Sequence, residues 1–591
     1  MNLDPSLLFL FFALVNAGFT SKPDCKTFPG DEVWPSEAIW TTLNHTLDGR
    51  LLTSSPPPGA ACHVDQTYPN VRECQRLKED WTRYQWHSED PVSVMWDQFT
   101  NYSCLPDPSF PCSSQGYPPY VINASTSEHV KAGIDFAKEH NIRLVVKNTG
   151  HDFIGRSIGP GAISIWTHHL NTIEYHPDHF HLLRSDGTME TIDGNAMTVG
   201  AGVQLYEAYR AADRYQQTVV GGNGKSVGFG GYITGGGHSF ISSHFGLAVD
   251  NVLQIEVVTP GGEILTVNQF RHPDLFWALR GGGGSTFGVI TKVTMSTHPK
   301  VKVSNVNWMI VTDPKATYLW DVIAYAASTL PYLVDSGLAG KNYINKTLIN
   351  PVPGSGLPRE VAGVTGSNAM LNNDDPTVAI KIFKPINDTI NARWPGKVLL
   401  HLESPIDYPS FLAWYDVNFD GTTGGRSRYL VSRLLDKEAL TGDPTALREA
   451  LRAGNEPNGI QALYTVTGKG VHEAKPRGGN AVHPAWRRAY VHTGVSTAEF
   501  PPLNKTAERE AIEILDKSFQ PLRDLTPNSG AYMNEALPFE RDWQHTFWGS
   551  NYERLLAIKK AVDPDDVFWC SPCVGNEGWR QRQDGRLCRV R

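Results

Sequence analysis

The stretch VVGGNGKSVGFGGYITGGGHS, residues 219–239, cannot run as one regular strand or helix throughout. Each ordered glycine costs about 1 kcal/mol relative to alanine and brings no side chain to pack. Such a segment is kept where bare backbone must come close to something. Two more glycine-rich loops flank it, VVKNTGHDFIGRS at 145–157 and LRGGGGSTFGV at 279–289. Each of the three lies next to an apolar, strand-like run, and backbone N–H groups presented by such loops are what a pyrophosphate needs. The usual nucleotide fingerprints nevertheless fail on spacing. Gly224-Lys225-Ser226 would complete a P-loop only with glycine at 219, which is Val219. Gly222-Asn223-Gly224 would complete a dinucleotide fingerprint only with glycine at 227, which is Val227.

Around these loops the pattern alternates helix and strand. Thr126-Ser127-Glu128 reads as a helix start, with Val130, Ile134 and Ala137 on one face before Asn141 ends the helix. A short strand over 142–147 follows, then the first loop. A strand near 196–199 and a helix over 206–215 lead to the second. Residues 252–258 alternate as a half-buried strand, turn at Pro260-Gly261-Gly262 and return along 264–267. HPDLFWAL, from 272, predicts a short aromatic helix ahead of the third loop and a closing strand. From about 300 to 515 the texture changes to longer strands and helices, among them VLLHLESP at 398–405 and AWRRAYVHTGV at 485–495, which read as a second α+β unit.

With 591 residues the chain is long enough for more than one core, and its net charge of -8 gives no electrostatic footprint for nucleic acid. An apolar run over 7–15 ends in Val15-Asn16-Ala17, a small-residue cleavage pattern. That run is too short to span a bilayer, so residues 1–17 read as a signal peptide, although Asp4 stands where a basic residue is usual. No later stretch reads as a membrane anchor. Eight cysteines fall in two groups, Cys25, Cys62, Cys74, Cys104 and Cys112 at the front and Cys570, Cys573 and Cys588 at the back. In an exported chain an even count favours disulfides that tie the termini onto the body, with connectivity open. N-glycosylation sequons at Asn44, Asn101, Asn123, Asn345, Asn387 and Asn504 agree with export.

Three segments in chain order, NTGHDFIGRS, SVGFGGYITGGGHS followed by FGLAVDNV, and WGSNYERLLAIKKAVDPDDVFWC, resemble the FAD-linked oxidases of the berberine bridge enzyme-like group in the vanillyl-alcohol oxidase superfamily, close to fungal isoamyl-alcohol-oxidase-like members. The resemblance implies an α+β fold: a two-part PCMH-type FAD-binding domain plus an α+β substrate domain with a large antiparallel sheet. With the leader (1–17) and the cystine-tied extension (18–115) read from the residues, it divides the rest of the chain into the FAD-binding domain (116–300), the substrate domain (301–529) and a C-terminal segment (530–591) returning to the FAD domain. It implies that His151 carries the flavin covalently through the 8α-methyl. An imidazole nitrogen is a competent nucleophile near neutral pH, and the glycine before it lets the backbone approach the ring.

By the same matching, Lys147, Asn148, Thr149, Gly150, Asp152, Gly155, Arg156 and Ser157 form the first cofactor-facing loop. Ser226, Val227, Gly228, Gly231, Tyr232, Gly236, Gly237 and His238 form the second. Asp250, Val257 and Val258 border the cofactor, and Asn551 with Tyr552 closes it from the tail. Many relatives add a second flavin link through a cysteine, but the aligned position is Gly224, so FAD is expected to be mono-covalent. The activity implied is that of a secreted oxidase passing hydride from an alcohol or secondary metabolite to FAD, with O2 giving H2O2. The segment AYMNEALPFERDWQ offers Tyr532, Asn534 and Glu535 as catalytic candidates, with Tyr490 and His492 as pocket residues of second rank. The alternative is a flavoprotein whose acid, such as Glu535, drives a non-redox isomerisation or cyclisation. No metal is expected, since the His238 and His244 spacing suits no common site.

Overall fold

The computed structural model describes residues 24–53, 56–66, 69–497 and 499–590. The signal-peptide segment lies outside these residues.

Three larger sheets, three two-stranded ones and the helices between them build the described part of the molecule. The first has four strands in the order Leu51–Thr53, Tyr120–Asn123, Ile163–Trp166, Leu144–Lys147. Its last three strands are parallel, and helix Ser127–Glu139 crosses between two of them. Thr126 caps that helix by accepting from His129 N at 3.2 Å, and Val130, Ile134 and Ala137 are buried as the periodicity requires. The second sheet has five antiparallel strands, Ile264–Val267, Val252–Val258, Val289–Ser296, Ala196–Gly200 and Ile173–His176.

The third sheet has eight antiparallel strands and lies wholly within residues 303–496. Its alternation separates two environments. Ile344, Leu463, Val491 and Val495 point into an apolar core shared with helices Leu319–Ser328, Val378–Arg393, Pro444–Gly454 and Lys505–Leu525. Lys341, Tyr343 and Tyr464 point the other way, into a cavity.

The glycine-rich stretch 219–239 contains one short helix, Phe229–Gly235. Tertiary packing overrides glycine's poor helix propensity here, since Phe229, Ile233 and Gly235 are buried. Gly236 and Gly237 then turn the chain with φ of 118° and 72°, a region closed to most side chains.

The disulfides pair Cys25 with Cys588, Cys62 with Cys74, Cys104 with Cys112 and Cys570 with Cys573. The first joins the two ends of the described chain. The tail is also held by the buried pair Lys559–Asp563, in which Asp563 accepts from the backbone N–H groups of Val567 and Phe568.

Candidate active site

Two of the glycine loops, part of the third, one face of the large sheet and the segment around Tyr532 enclose a cavity of about 310 Å³. His151 stands on its wall, held by a hydrogen bond to Ser226 Oγ at 2.8 Å and by the edge of Tyr84 at 4.6 Å between ring centres. Burial lowers the His151 pKa to about 4, so the imidazole is neutral.

Asp152 accepts from Arg156 N, Nε and Nη2, which folds the first loop back on itself. Arg156 Nη2 also donates to Asn534 Oδ1 at 3.0 Å, while Asn534 Nδ2 donates to Gly231 O and to the Tyr532 hydroxyl oxygen, both at 3.1 Å. Asn534 therefore ties the first loop, the second loop and the tail together.

At the far side of the cavity three chain segments meet. His238 Nε2 donates to Glu535 Oε1 at 3.0 Å and His492 Nε2 donates to Glu535 Oε2 at 2.8 Å. Burial alone would raise the Glu535 pKa, but the two imidazoles outweigh it and hold the carboxyl well below the usual range. Burial raises the Tyr532 hydroxyl above its ordinary value, and Glu535 adds to the effect. Glu535 is thus ionised, and Tyr532 remains a phenol.

Of the sequence-matched loop residues, Asn148, Thr149, Gly150, His151, Asp152, Arg156, Ser157, Val227, Gly228, Gly231, Tyr232 and His238 line the cavity. Ser226 stands behind His151. The others face elsewhere for identifiable reasons. Lys147 Nζ donates to the carbonyls of His87 and Asp90 in the N-terminal extension. Gly155 packs under the Phe99 ring, Gly236 against Val482 and Gly237 against Tyr232. Asp250 is taken by Arg487 and Asn480, and Val257 and Val258 are buried in a strand of the five-stranded sheet. Asn551 donates to Val482 O at 2.9 Å, and Tyr552 donates to Glu577.

Tyr490 and His492 part company as well. A register shift near Ala489 breaks the alternation, so His492 reaches the cavity cluster while Tyr490 donates to Asp335 Oδ1 at 3.0 Å. His244 takes no part in the cluster. Sequence reasoning missed Tyr84, Asn223, Lys341, Tyr343, Asp420, Thr422 and Tyr464, all of which line the cavity. Of these, Lys341 and Tyr343 sit two apart in KNYIN on the strand Ala339–Ile349, a period-two signal that could have placed them on one face.

The chain matches the family described as FAD binding domain over residues 118–268 and that described as berberine and berberine like over 531–574. It is 36% identical over 585 residues, 96% of this chain and 95% of the relative, to the FAD-linked oxidoreductase ZEB1 of Gibberella zeae. It belongs to the berberine bridge enzyme-like FAD-linked oxidoreductases. This oxidoreductase is also 34% identical to the bifunctional decalin synthase calF of Penicillium decumbens, over 96% of each chain. Among solved structures, the VAO-type flavoprotein MtVAO615 from Myceliophthora thermophila C1 superposes with a TM-score of 0.81 at 30% identity, covering 96% of this chain and 100% of that one. The fold is therefore the α+β VAO/PCMH type, and its cofactor is FAD.

The cavity suits that cofactor. Arg156 Nη1 and Asn148 Oδ1 are buried on its wall without a partner among the described residues, one a cationic donor and the other an acceptor. A Cβ added at Gly231 would meet nothing within 4 Å, which leaves backbone bare toward the cavity.

Proposed function

We propose that this oxidoreductase is a secreted oxidase of alcohols or secondary metabolites, with FAD held through a single covalent bond to His151. The observation that carries the reading is the Glu535 carboxylate, ionised between two imidazoles on the wall of the cavity that also holds His151. When bound, FAD supplies hydride acceptance and, with O2, its own reoxidation to release H2O2.

The chain's residues do the rest. Glu535 takes the proton from the substrate O–H, and His238 and His492 keep it ionised and aimed. The Tyr532 hydroxyl is the donor that orients substrate oxygen. Tyr343, Tyr464 and Phe240 wall the cavity and exclude water, which strengthens the charge interactions inside.

Neutral His151 beside Ser226 supports the covalent link, and Gly224 supports a single one, because no thiol stands at that position. Export is supported by the cysteine pairing, and among the described residues no helix is long and apolar enough to cross a membrane. Of the sequons, Asn101 and Asn504 are exposed and best placed to carry glycans. Asn44, Asn123, Asn345 and Asn387 are half-buried, and the Asn345 amide already donates to Thr365 Oγ1.

The likeness to a decalin synthase favours one second reading, a non-redox cyclisation or isomerisation on the same scaffold. The acid expected for it, Glu535, is instead held as the carboxylate, which counts against that reading.

The test is acid precipitation of the purified protein followed by flavin fluorescence on a denaturing gel, with His151→Ala alongside, then an alcohol screen read by H2O2. Fluorescence that stays with the wild-type band and leaves the variant supports the link. Free flavin in the wild-type supernatant overturns it. Under anaerobic turnover an oxidase stops after one reduction, and an isomerase continues.

A further inference from the structure

Among the described residues, one ring nitrogen each of His238 and His492 and one oxygen of Glu535 all lie within 4.8 Å of one another. They come from three distant segments: the turn after helix Phe229–Gly235, the middle of strand Ala489–Ser496, and the segment following Tyr532. Side-chain exposure is 14% for His238, 2% for His492 and 26% for Glu535. His238 and Glu535 line the cavity, so the cluster opens toward it.

We propose that this cluster is also a binding site for a borderline-soft divalent cation such as Zn2+ or Cu2+, and that the cation blocks the base. Two imidazoles and one carboxylate are a ligand set that such ions accept with positions left open. Bringing the widest-spaced pair to the ~3.4 Å between ligands of a tetrahedral ion with bonds of about 2.0–2.1 Å takes roughly 0.7 Å from each side. Small side-chain rotations supply that. The ion takes the Nε2 lone pairs and a carboxylate oxygen, and each neutral imidazole carries its ring proton on Nδ1 instead, so no proton need be released. No electron is transferred. Remaining coordination positions face the cavity, where a water completes the sphere.

The surroundings favour the ion. Trp486 and Tyr532 pack against both imidazoles, which keeps the site low in dielectric. The Arg156 guanidinium on the cavity wall is paired with Asp152. One feature weakens it: His492 Nδ1 is buried without a partner, and a missing outer hydrogen bond lowers affinity by about 10–100-fold. The site is thus a reversible one and not a structural metal centre.

The cluster serves this role whether or not the flavin reading holds. The test uses the purified full-length protein after treatment with a chelator and desalting. Zn2+ is titrated by calorimetry and Cu2+ is followed by electron paramagnetic resonance, with flavin content checked by absorbance. One equivalent bound, with hyperfine coupling to two nitrogens and affinity at least 10-fold weaker in both His238→Gln and Glu535→Gln, is the expected result. His238→Gln is the safer variant, since His238 is less buried than His492. No bound equivalent, or binding unchanged in both variants, overturns the proposal.

Discussion

His492 Nε2 lies 2.8 Å from Glu535 Oε2, while His238 Nε2 holds the other oxygen of the same carboxylate at 3.0 Å. A half-buried carboxylate with an imidazole on each oxygen is locked both in charge and in direction. The first consequence concerns turnover. Glu535→Gln keeps the volume and one hydrogen-bond acceptor but cannot take a proton, so kcat falls by about 10²–10⁴-fold with flavin content unchanged. Anaerobic stopped-flow reduction at 450 nm, on whichever alcohol the H2O2 screen returns, reads it as a slower reduction step. An unchanged rate removes Glu535 from the chemistry.

Ser226 Oγ is the hydrogen-bonding partner of His151 Nε2. Ser226→Ala leaves the imidazole in place but unaimed, so covalent flavin forms slowly and remains incomplete, whereas His151→Ala abolishes it. A time course of gel fluorescence after adding FAD to the apoprotein separates the two.

The pH dependence of that step follows from burial, which lowers the His151 pKa to about 4. The unfolded chain carries a histidine near 6.5, so between those values the unfolded state binds more protons and stability falls as pH drops. The neutral, bond-forming imidazole persists throughout that window. Flavin attachment at pH 5 should match that at pH 7.5 and fail only near pH 4. A sharp loss between pH 7 and 6 contradicts a desolvated His151.

A Cβ built at Gly224 would lie 3.9 Å from His151 Cε1 and 3.0 Å from Val227 Cγ2. Gly224→Cys thus places a thiol beside the same imidazole, provided Val227 gives by a few tenths of an ångström. In the Gly224→Cys, His151→Ala double variant, gel-stable flavin reappears through sulfur. A dark band for that variant with bound, releasable FAD shows that the position faces the wrong part of the ring.

Asp563 accepts from Lys559 Nζ and from two backbone N–H groups, with none of its side chain exposed. Asp563→Ala leaves a buried ammonium without its counter-charge, though still bonded to the carbonyls of Thr286 and Phe568, and two buried donors unmatched, a loss of about 3–5 kcal/mol. Calorimetry should show a lower Tm, with the tail around 552–568 becoming the first segment cut by a protease.

Much of the scaffold was legible because it obeys local rules. The helix after Thr126, the strand pair 252–258 and 264–267, and the aromatic helix from 273 each follow a period or a cap that a dozen residues suffice to display. The glycine loops were legible for the opposite reason, since so much bare backbone has no use except close approach. Their side chains were less predictable. Lys147 belongs to the cofactor-loop sequence, but the N-terminal extension supplies carbonyls that take its ammonium away. Tyr490 and His492 share a period of two that a single register shift undoes.

What the sequence determined by itself is therefore where backbone must lie bare and which segments are helix or strand, because those depend on neighbours within a few turns. Only the tertiary structure decided the chemistry of the cavity. His238, His492 and Glu535, with Tyr84 from the front of the chain and Tyr343 and Tyr464 from the large sheet, are brought together by strand pairing and helix packing across hundreds of residues. The charge of Glu535 is a property of that convergence. A carboxyl in the sequence has no fixed protonation state until burial and its neighbours set one.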